Sequence, residues 1–236
     1  MLHSIRTVLR PRTRWRQFQA TRRKHQLFDK YQSATMIPRD QFIANIDVIV
    51  QHLSNPALDG GAIVECGTWR GGMSATMVEL GGSERHYYFF DSFEGLPPAQ
   101  EKDGQFARTY QQEPGYHNCK ASIEEFSETV SKANGSARHI HVFKGWFDKT
   151  FPQITPPPLA ALRLDADWYD STMLCLEKFW GSLLPEGLLL IDDYYVWEGC
   201  RRAVHDFLSK HRLAEPIFQG HGFAYITKGP KREAGS

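Results

Sequence analysis

The sequence predicts an α/β fold in which a doubly wound, mostly parallel sheet ends in an antiparallel C-terminal hairpin. Five short runs are almost continuously apolar, which is typical of parallel strands buried on both faces. Helical stretches alternate with these runs and favour crossover connections in an open sheet. Two last β-like runs are separated only by a Gly-His-Gly turn, which is too short for a crossover helix and predicts a hairpin. The five runs are Ala62–Cys66, Tyr87–Asp91, Ile140–Phe143, Leu159–Leu164 and Leu188–Ile191.

The other elements follow in order from a helix that begins near Pro38. Apolar residues at helical intervals form one stripe along it, and it ends before Pro56 because proline disfavours helix in the residue ahead of it. The stripe consists of Phe42, Ile46, Ile49, Val50 and Leu53. Later helices are predicted over Ser74–Leu80, Ser122–Lys132, Ser171–Leu183 and Cys200–His211, and the hairpin strands over Pro216–Phe218 and Phe223–Thr227.

Length, charge and cysteine usage limit the class of protein. The 236 residues suffice for one sizeable core, and 28 Lys and Arg balance 27 Asp and Glu. The four cysteines form no CxxC pair. No apolar stretch approaches the roughly 20 residues of a membrane span, and no cleavable leader is recognisable. These features predict a cytoplasmic protein with reduced thiols, and they exclude a disulfide scaffold and an integral membrane protein.

Basic residues are concentrated at the N-terminus, where residues 1–30 hold nine Lys and Arg against one Asp. We therefore divide the chain into a basic arm at 1–35, one domain at 36–228 and a tail at 229–236. The arm is expected to be a disordered tail or a subunit contact. The alternative is a non-catalytic binder of nucleic acid or of anionic membranes, although the rest of the chain is net negative.

The segment Glu94–Lys120 interrupts the alternation of strands and helices. It contains three prolines and three glycines and shows little periodicity. A structureless stretch of this length inside a compact domain is usually a lid or a binding loop. A disordered insertion is the alternative.

Two strand ends carry residues suited to a nucleoside. The first predicted strand runs into an acid-x-Gly-x-x-x-Gly turn, in which Gly67 permits a sharp turn and Glu65 suits a ligand with ammonium or hydroxyl donors. Asp91 ends the second strand 26 residues later, near the spacing at which an acid meets ribose hydroxyls. Together they favour S-adenosylmethionine, a nucleoside without phosphates. The alternative is an acid that only caps the next helix. The predicted turn residues are Glu65, Gly67, Thr68, Trp69 and Gly71.

Carboxylates follow two further predicted strands. Asp165 ends one strand, and Asp192 and Asp193 end the next. If these strands are neighbours about 5 Å apart, their carboxylates converge and repel one another unless a proton or a cation lies between them. Oxygen ligands alone favour Mg²⁺ over zinc. The alternative is that some of these acids cap helices and that the others are solvated.

Five ordered sequence blocks resemble the macrocin O-methyltransferase family, the metal-dependent class I methyltransferases of sugars. The blocks are VECGTWRGGMS, YFFDSFEGLP, FKGWFDKTFP, LRLDADWYDST and LPEGLLLIDDYY. The resemblance implies a Rossmann-like fold, a homo-oligomer and an O-methyltransferase activity on a small-molecule acceptor. It also implies that Asp165, Asp192 and Asp193 bind Mg²⁺, with Asp165 as the general base.

The same resemblance implies how S-adenosylmethionine is held. Glu65, Gly67 and Asp91 would hold it, while Ser92, Gly145 and Trp146 would line the adenosine. A sugar hydroxyl binds its proton tightly at neutral pH, so a metal ion and a positioned base would both assist transfer.

Several alternatives stay open at this stage. The acceptor sugar fits a natural product or a polysaccharide equally well, and a catechol-like diol is a further candidate. His117 in the predicted loop and His221 in the hairpin turn offer competing bases. An aspartyl-phosphate phosphatase would explain the Asp-x-Asp block at residue 165, but it would leave Glu65 and Asp91 without a role.

Overall fold

A computed structural model describes residues 11–133 and 139–230, with the side chains described from residue 21 onward. Within these ranges seven strands form one sheet in the order β3-β2-β1-β4-β5-β7-β6. Strands β1 to β5 pair in parallel, whereas β7 pairs antiparallel with both β5 and β6. The predicted sheet and its C-terminal hairpin are thereby confirmed. The strands are β1 Ala62–Cys66, β2 Tyr87–Asp91, β3 Ile140–Lys144, β4 Leu159–Leu164, β5 Leu183–Ile191, β6 Phe218–Gln219 and β7 Ala224–Thr227.

The sheet brings the predicted site residues to one edge. Cys66 at the end of β1 pairs with Phe90 on β2 and with Leu164 on β4. Leu164 in turn pairs with Ile191 at the end of β5. The carboxyl ends of these four strands are therefore level, and the strand order reverses at β1, where open α/β sheets bind their ligands.

Helices cover both faces of the sheet. In α2 the apolar stripe is buried at Phe42, Ile46 and Ile49, as predicted, whereas Val50 is 41% exposed. Val50 was wrongly included because a residue next to Ile49 is rotated by about 100° around a helix axis. The helices are α1 Pro11–Tyr31, α2 Arg39–Leu53, α3 Gly72–Gly81, α4 Gly104–Tyr110, α5 Ile123–Ser131, α6 Phe147–Thr150, α7 Tyr169–Phe179 and α8 Glu198–Lys210. None of these described helices is both long enough and apolar enough to cross a membrane.

The basic arm is not a disordered tail over its described part, residues 11–35, because most of this part forms α1. Leu27 and Tyr31 are buried, and the Tyr31 hydroxyl donates to Glu79 Oε1 at 2.6 Å. Lys30 Nζ contacts the same carboxylate at 2.6 Å. These contacts attach α1 to α3, which composition alone did not indicate. Residues 1–10 lie outside the described residues.

The segment Glu94–Lys120 is also more regular than predicted, since it contains a 3₁₀ turn over Glu101–Asp103 and helix α4. Its anchor is Asp103, which is 2% exposed and accepts hydrogen bonds from the backbone N–H groups of Gln100 and Tyr169, both at 2.7 Å. Trp168 Nε1 donates to the Pro97 carbonyl at 2.9 Å. Long-range hydrogen bonds to the start of α7, rather than a local periodicity, order this segment.

Candidate active site

A cleft of about 430 Å³ opens at the carboxyl ends of β1, β2, β4 and β5. Its walls come from the segments after β1 to β5 and from residues 34–38, which lie between α1 and α2. This connection packs closely against the start of α3, because a Cβ added at Gly72 would lie 2.6 Å from the Ala34 carbonyl oxygen. The cleft thus combines the predicted site residues with a wall that the sequence did not indicate.

The turn after β1 requires glycine at its first position. Gly67 has φ of +83°, and a Cβ there would lie 1.8 Å from the Asp165 carbonyl oxygen. Its N–H donates to the Phe90 carbonyl at 2.8 Å, and the Asp165 N–H donates to the Cys66 carbonyl at 2.9 Å. The ends of β1 and β4 therefore touch backbone to backbone, which places this turn beside the acidic residues.

Asp91 orders the same turn from the neighbouring strand. Its Oδ2 accepts from the N–H groups of Thr68 at 2.7 Å and Trp69 at 2.8 Å, and its Oδ1 accepts from the N–H of Phe93 at 2.7 Å. Burial raises the pKa of Asp91, and these three backbone donors oppose that rise. The carboxylate thus binds backbone N–H groups of two turns rather than the first turn of a helix, and it also lines the cleft.

The remaining predicted cofactor residues lie around this turn. Ser92, Gly145 and Trp146 line the cleft, and the Gly145 N–H donates to the Asp91 carbonyl at 2.9 Å. Trp146 is 37% exposed. Gly71 is not among the lining residues; with φ of +83° it begins α3 and packs against Phe126.

A buried arginine that sequence reasoning missed joins the acids. Arg163 lies on β4 and is 2% exposed. Its Nη1 donates to Glu65 Oε1 at 2.7 Å and to Asp165 Oδ2 at 2.9 Å. Its Nη2 lies 2.9 Å from Asp192 Oδ1, an ionic contact without hydrogen-bond geometry. Part of the repulsion that was predicted to require a proton or a cation is therefore offset by the protein's own guanidinium.

Glu65 is the most deeply buried carboxylate of the site, at 1% exposure. One oxygen accepts from Arg163, and the other accepts from the Ser74 hydroxyl. Burial raises the pKa of Glu65 to about 7, and the Arg163 charge opposes that rise. The side chain is thus held between two donors at the end of β1.

The acids nearest to a possible metal position are Asp165, Asp167 and Asp193, each with one oxygen within 4.8 Å of the other two. Asp167 has φ of +55°; its N–H donates to Asp193 Oδ2 at 3.1 Å, and its Oδ1 accepts from Trp197 Nε1 at 2.8 Å. Burial and the neighbouring acids raise the pKa of Asp167, Asp192 and Asp193.

This all-oxygen donor set fits a hard divalent cation such as Mg²⁺. The three predicted metal ligands, Asp165, Asp192 and Asp193, lie at the same edge of the sheet. The carboxylate of Asp192, however, faces Arg163. Asp167, which sequence reasoning left unassigned, completes the group of three.

Neither candidate histidine lines the cleft. The Nδ1 of His117 accepts from the Cys119 N–H at 3.2 Å, and His221 is exposed in the hairpin turn. Trp168 and Trp197 are buried and packed edge to face, with centroids 5.0 Å apart. These two tryptophans do not line the cleft; they pack against the acidic turns, where Trp197 donates to Asp167.

Comparisons with known proteins agree on one family. The sequence matches the family described as Macrocin-O-methyltransferase (TylF) over residues 2–225. It is 31% identical over 166 residues to the 8-demethyl-8-(2,3-dimethoxy-alpha-L-rhamnosyl)-tetracenomycin-C 4'-O-methyltransferase of Streptomyces olivaceus, which covers 69% of this chain and 63% of that protein. It is 28% identical over 183 residues to the mycinamicin III 3''-O-methyltransferase of Micromonospora griseorubida, covering 72% of this chain and 70% of that protein.

A third relative and one solved structure extend these similarities. The demethyldecarbamoylnovobiocin O-methyltransferase of Streptomyces niveus is 27% identical over 161 residues, covering 66% of this chain and 62% of that protein. This chain therefore spans less than two thirds of the length of two of the three relatives. The structure of the O-methyltransferase NovP superposes with a TM-score of 0.71 at 24% identity, over 83% of this chain and 82% of that chain.

Proposed function

This chain belongs to the macrocin O-methyltransferase family, and from that premise we propose that it transfers the methyl group of S-adenosylmethionine to a sugar hydroxyl of a glycoside. Two relatives are named as methyltransferases of a rhamnosyl-bearing tetracenomycin and of mycinamicin III. The observation that carries the proposal is the cleft, in which a glycine turn and a cluster of carboxylates share one sheet edge.

We propose that S-adenosylmethionine lies along the turn after β1. It would be held by Glu65, Gly67, Thr68, Trp69, Asp91, Ser92, Gly145 and Trp146, whereas Gly71, outside the lining, would position the start of α3. Gly67 supports this because its positive φ turns the chain sharply at the end of β1, where the residues that follow line the cleft; its missing Cβ makes room for the Asp165 carbonyl. Asp91 supports it because a carboxylate has about four lone-pair positions. Oδ2 accepts from the Thr68 and Trp69 N–H groups and, at 3.4 Å, from the Thr68 hydroxyl. On Oδ1 the Phe93 N–H takes one position, which leaves the other for a ribose hydroxyl.

The acidic group would hold Mg²⁺ through Asp165, Asp192 and Asp193, with Asp167 beside them. The ion would supply Lewis-acid stabilisation of the acceptor oxygen as it loses its proton. Asp165 would take that proton as the general base, since it is about one-third exposed toward the cleft while its Oδ2 is anchored by Arg163. Methyl transfer is an in-line displacement, so the chain's main task is to align the acceptor with the sulfonium.

Calorimetric titration tests the proposal directly. S-adenosylhomocysteine is titrated into metal-stripped protein, and Mg²⁺ follows. We expect Asp165→Asn to abolish turnover but to retain nucleoside binding, and Asp192→Ala to lose the Mg²⁺ event. Asp59→Asn, whose side chain is 77% exposed and lies outside the cleft, is the matched control. Equal loss of nucleoside binding and turnover in Asp165→Asn would contradict the assigned roles.

We also propose that the acceptor is a small molecule rather than a nucleic acid, and that the enzyme is a cytoplasmic homo-oligomer. The names of the three relatives support the first statement. Light scattering on the full chain tests the oligomeric state, and fractionation of the producing cells tests the location.

A further inference from the structure

Three histidines lie together at the amino ends of β2 and β3, at the opposite end of these strands from the cleft; we call them the histidine cluster. His86 precedes β2, His139 precedes β3, and His141 is the second residue of β3. The two strands are paired there, because the Tyr87 N–H donates to the His139 carbonyl at 2.9 Å. None of the three histidines lines the cleft, so the proposed methyl transfer leaves the cluster without a role.

The rings of the cluster are stacked in parallel. His86 stacks on His139 with ring centroids 4.2 Å apart and an interplanar angle of 11°. His141 stacks on Tyr88, its partner on β2, with centroids 4.6 Å apart and an interplanar angle of 20°. The stacks oppose tilting of the imidazoles out of their planes but permit rotation within those planes.

Two nitrogens of the cluster face each other. His86 Nδ1 lies 3.3 Å from His141 Nε2, and the two rings are nearly parallel, with an interplanar angle of 6°. This distance is long for a hydrogen bond from nitrogen, whose usual range is about 2.7–3.2 Å. It equals the separation of about 3.3 Å between two nitrogens that bind one tetrahedral zinc ion through bonds of about 2.0–2.1 Å. A rotation of each ring within its plane would direct both lone pairs at such an ion.

The chemistry of this position differs from that of the acidic group in the cleft. Imidazole nitrogens are ligands for Zn²⁺, whereas carboxylate oxygens alone suit Mg²⁺. His86 is exposed and His141 is half-buried, so an ion can reach them from solvent and complete its coordination with water. Three imidazolium ions at these distances would repel one another, which favours the neutral rings that bind metal.

We propose that His86 Nδ1 and His141 Nε2 bind one Zn²⁺ ion, with water as the remaining ligands and His139 supporting the His86 ring. This site is independent of the proposed methyl transfer. Because β3 lies at the edge of the sheet, an ion shared by His86 and His141 ties this strand to β2. Binding that is specific to the folded state should raise Tm.

Three phenylalanine variants test the proposal, because phenylalanine keeps a ring for stacking and removes the nitrogens. Zn²⁺ is titrated by calorimetry into the full, untagged chain in excess Mg²⁺, which competes for the acidic group. We expect His86→Phe and His141→Phe to weaken Zn²⁺ binding at least tenfold, since even residues that only support a metal ligand account for about 10–100-fold in affinity. His139→Phe is the matched control and should bind Zn²⁺ as the unaltered protein does. The rise in Tm on addition of Zn²⁺ should be lost in the first two variants and kept in the third.

Two results would overturn the proposal: unchanged Zn²⁺ binding in His86→Phe and His141→Phe, or equal weakening in all three variants. Asp165→Asn should retain the Zn²⁺ event. Loss of that event in Asp165→Asn, with retention in the histidine variants, would assign the ion to the acidic group instead. Circular dichroism in the presence of a chelator checks that each variant is folded, and His86→Gln tests the same ligand if His86→Phe is not. Since no methyl transfer is measured, failure here leaves the proposed function intact.

Discussion

Replacement of Arg163 by methionine should strongly destabilise the fold. One guanidinium contacts Glu65, Asp165 and Asp192, and the first and last of these acids are 1% and 7% exposed. Asp165 is about one-third exposed at its side chain, so solvent screens its share. Removing one partner of a buried ion pair typically costs about 3–5 kcal/mol, because the remaining charge stays buried without compensation.

That loss is large beside a total stability of about 5–15 kcal/mol for a typical domain. Glu65 limits it, since its pKa is already raised to about 7 and rises further when the opposing charge of Arg163 is removed. Arg163→Lys keeps the positive charge but cannot present several nitrogens to separate carboxylates, so we expect a smaller loss of about 1–3 kcal/mol.

Urea denaturation near neutral pH in the presence of a chelator, followed by circular dichroism, measures these losses. Arg85→Met is the matched control, because Arg85 is also buried but donates to the backbone carbonyls of Leu58 and Gly61 at 2.7 and 2.6 Å. The double variant Glu65→Gln/Arg163→Met should lose less than the sum of its single variants, since both remove the same contact. A loss of less than about 1 kcal/mol for Arg163→Met, or strict additivity, would refute the charge-compensation argument.

Three further outcomes follow. The raised pKa of Glu65 means that the folded state retains its proton above the range in which the unfolded state releases it. The contribution of Glu65 to the stability of metal-free protein should therefore fall by up to about 3 kcal/mol as the pH rises from about 4.5 to beyond 7, and urea titrations of Glu65→Gln should show a smaller fall than those of the unaltered protein. Gly67→Ala should lower Tm and abolish calorimetric nucleoside binding because of its positive φ and the 1.8 Å approach, whereas Gly181→Ala, which faces open space, should do neither. Asp103→Ala should cost about 1–3 kcal/mol and speed proteolysis within residues 94–120, unlike the exposed Glu101→Ala; unchanged cleavage would show that Asp103 does not anchor this segment.

The sheet was predictable because a strand that is buried on both faces appears in the sequence as an almost continuous apolar run. A strand such as Leu159–Leu164 is apolar at nearly every position, and the short turn around His221 allows only a hairpin. Asp165 and Asp192 could be placed at one edge for the same reason, since strand ends are visible in the apolar pattern.

The arrangement of charges within the site was not predictable to the same depth. Arg163 stands in the middle of an apolar run, and this exception was the available signal that a buried countercharge exists. Its partners depend on the register between β1, β4 and β5, which no local pattern records. The order of residues 94–120 likewise depends on hydrogen bonds from Asp103 to distant backbone.

The close contact between Gly72 and the Ala34 carbonyl has a practical consequence for engineering. A boundary after residue 35, suggested by composition, would cut through a wall of the cleft, so the domain cannot be shortened there and keep its pocket. Mutant libraries that aim to change acceptor preference should therefore randomise residues 34–38 together with Leu174 and Val196, which also line the cleft, and should keep position 72 as glycine. Grafting the C-terminal part of this chain onto another family member's N-terminal segment would succeed only where that segment leaves the same space.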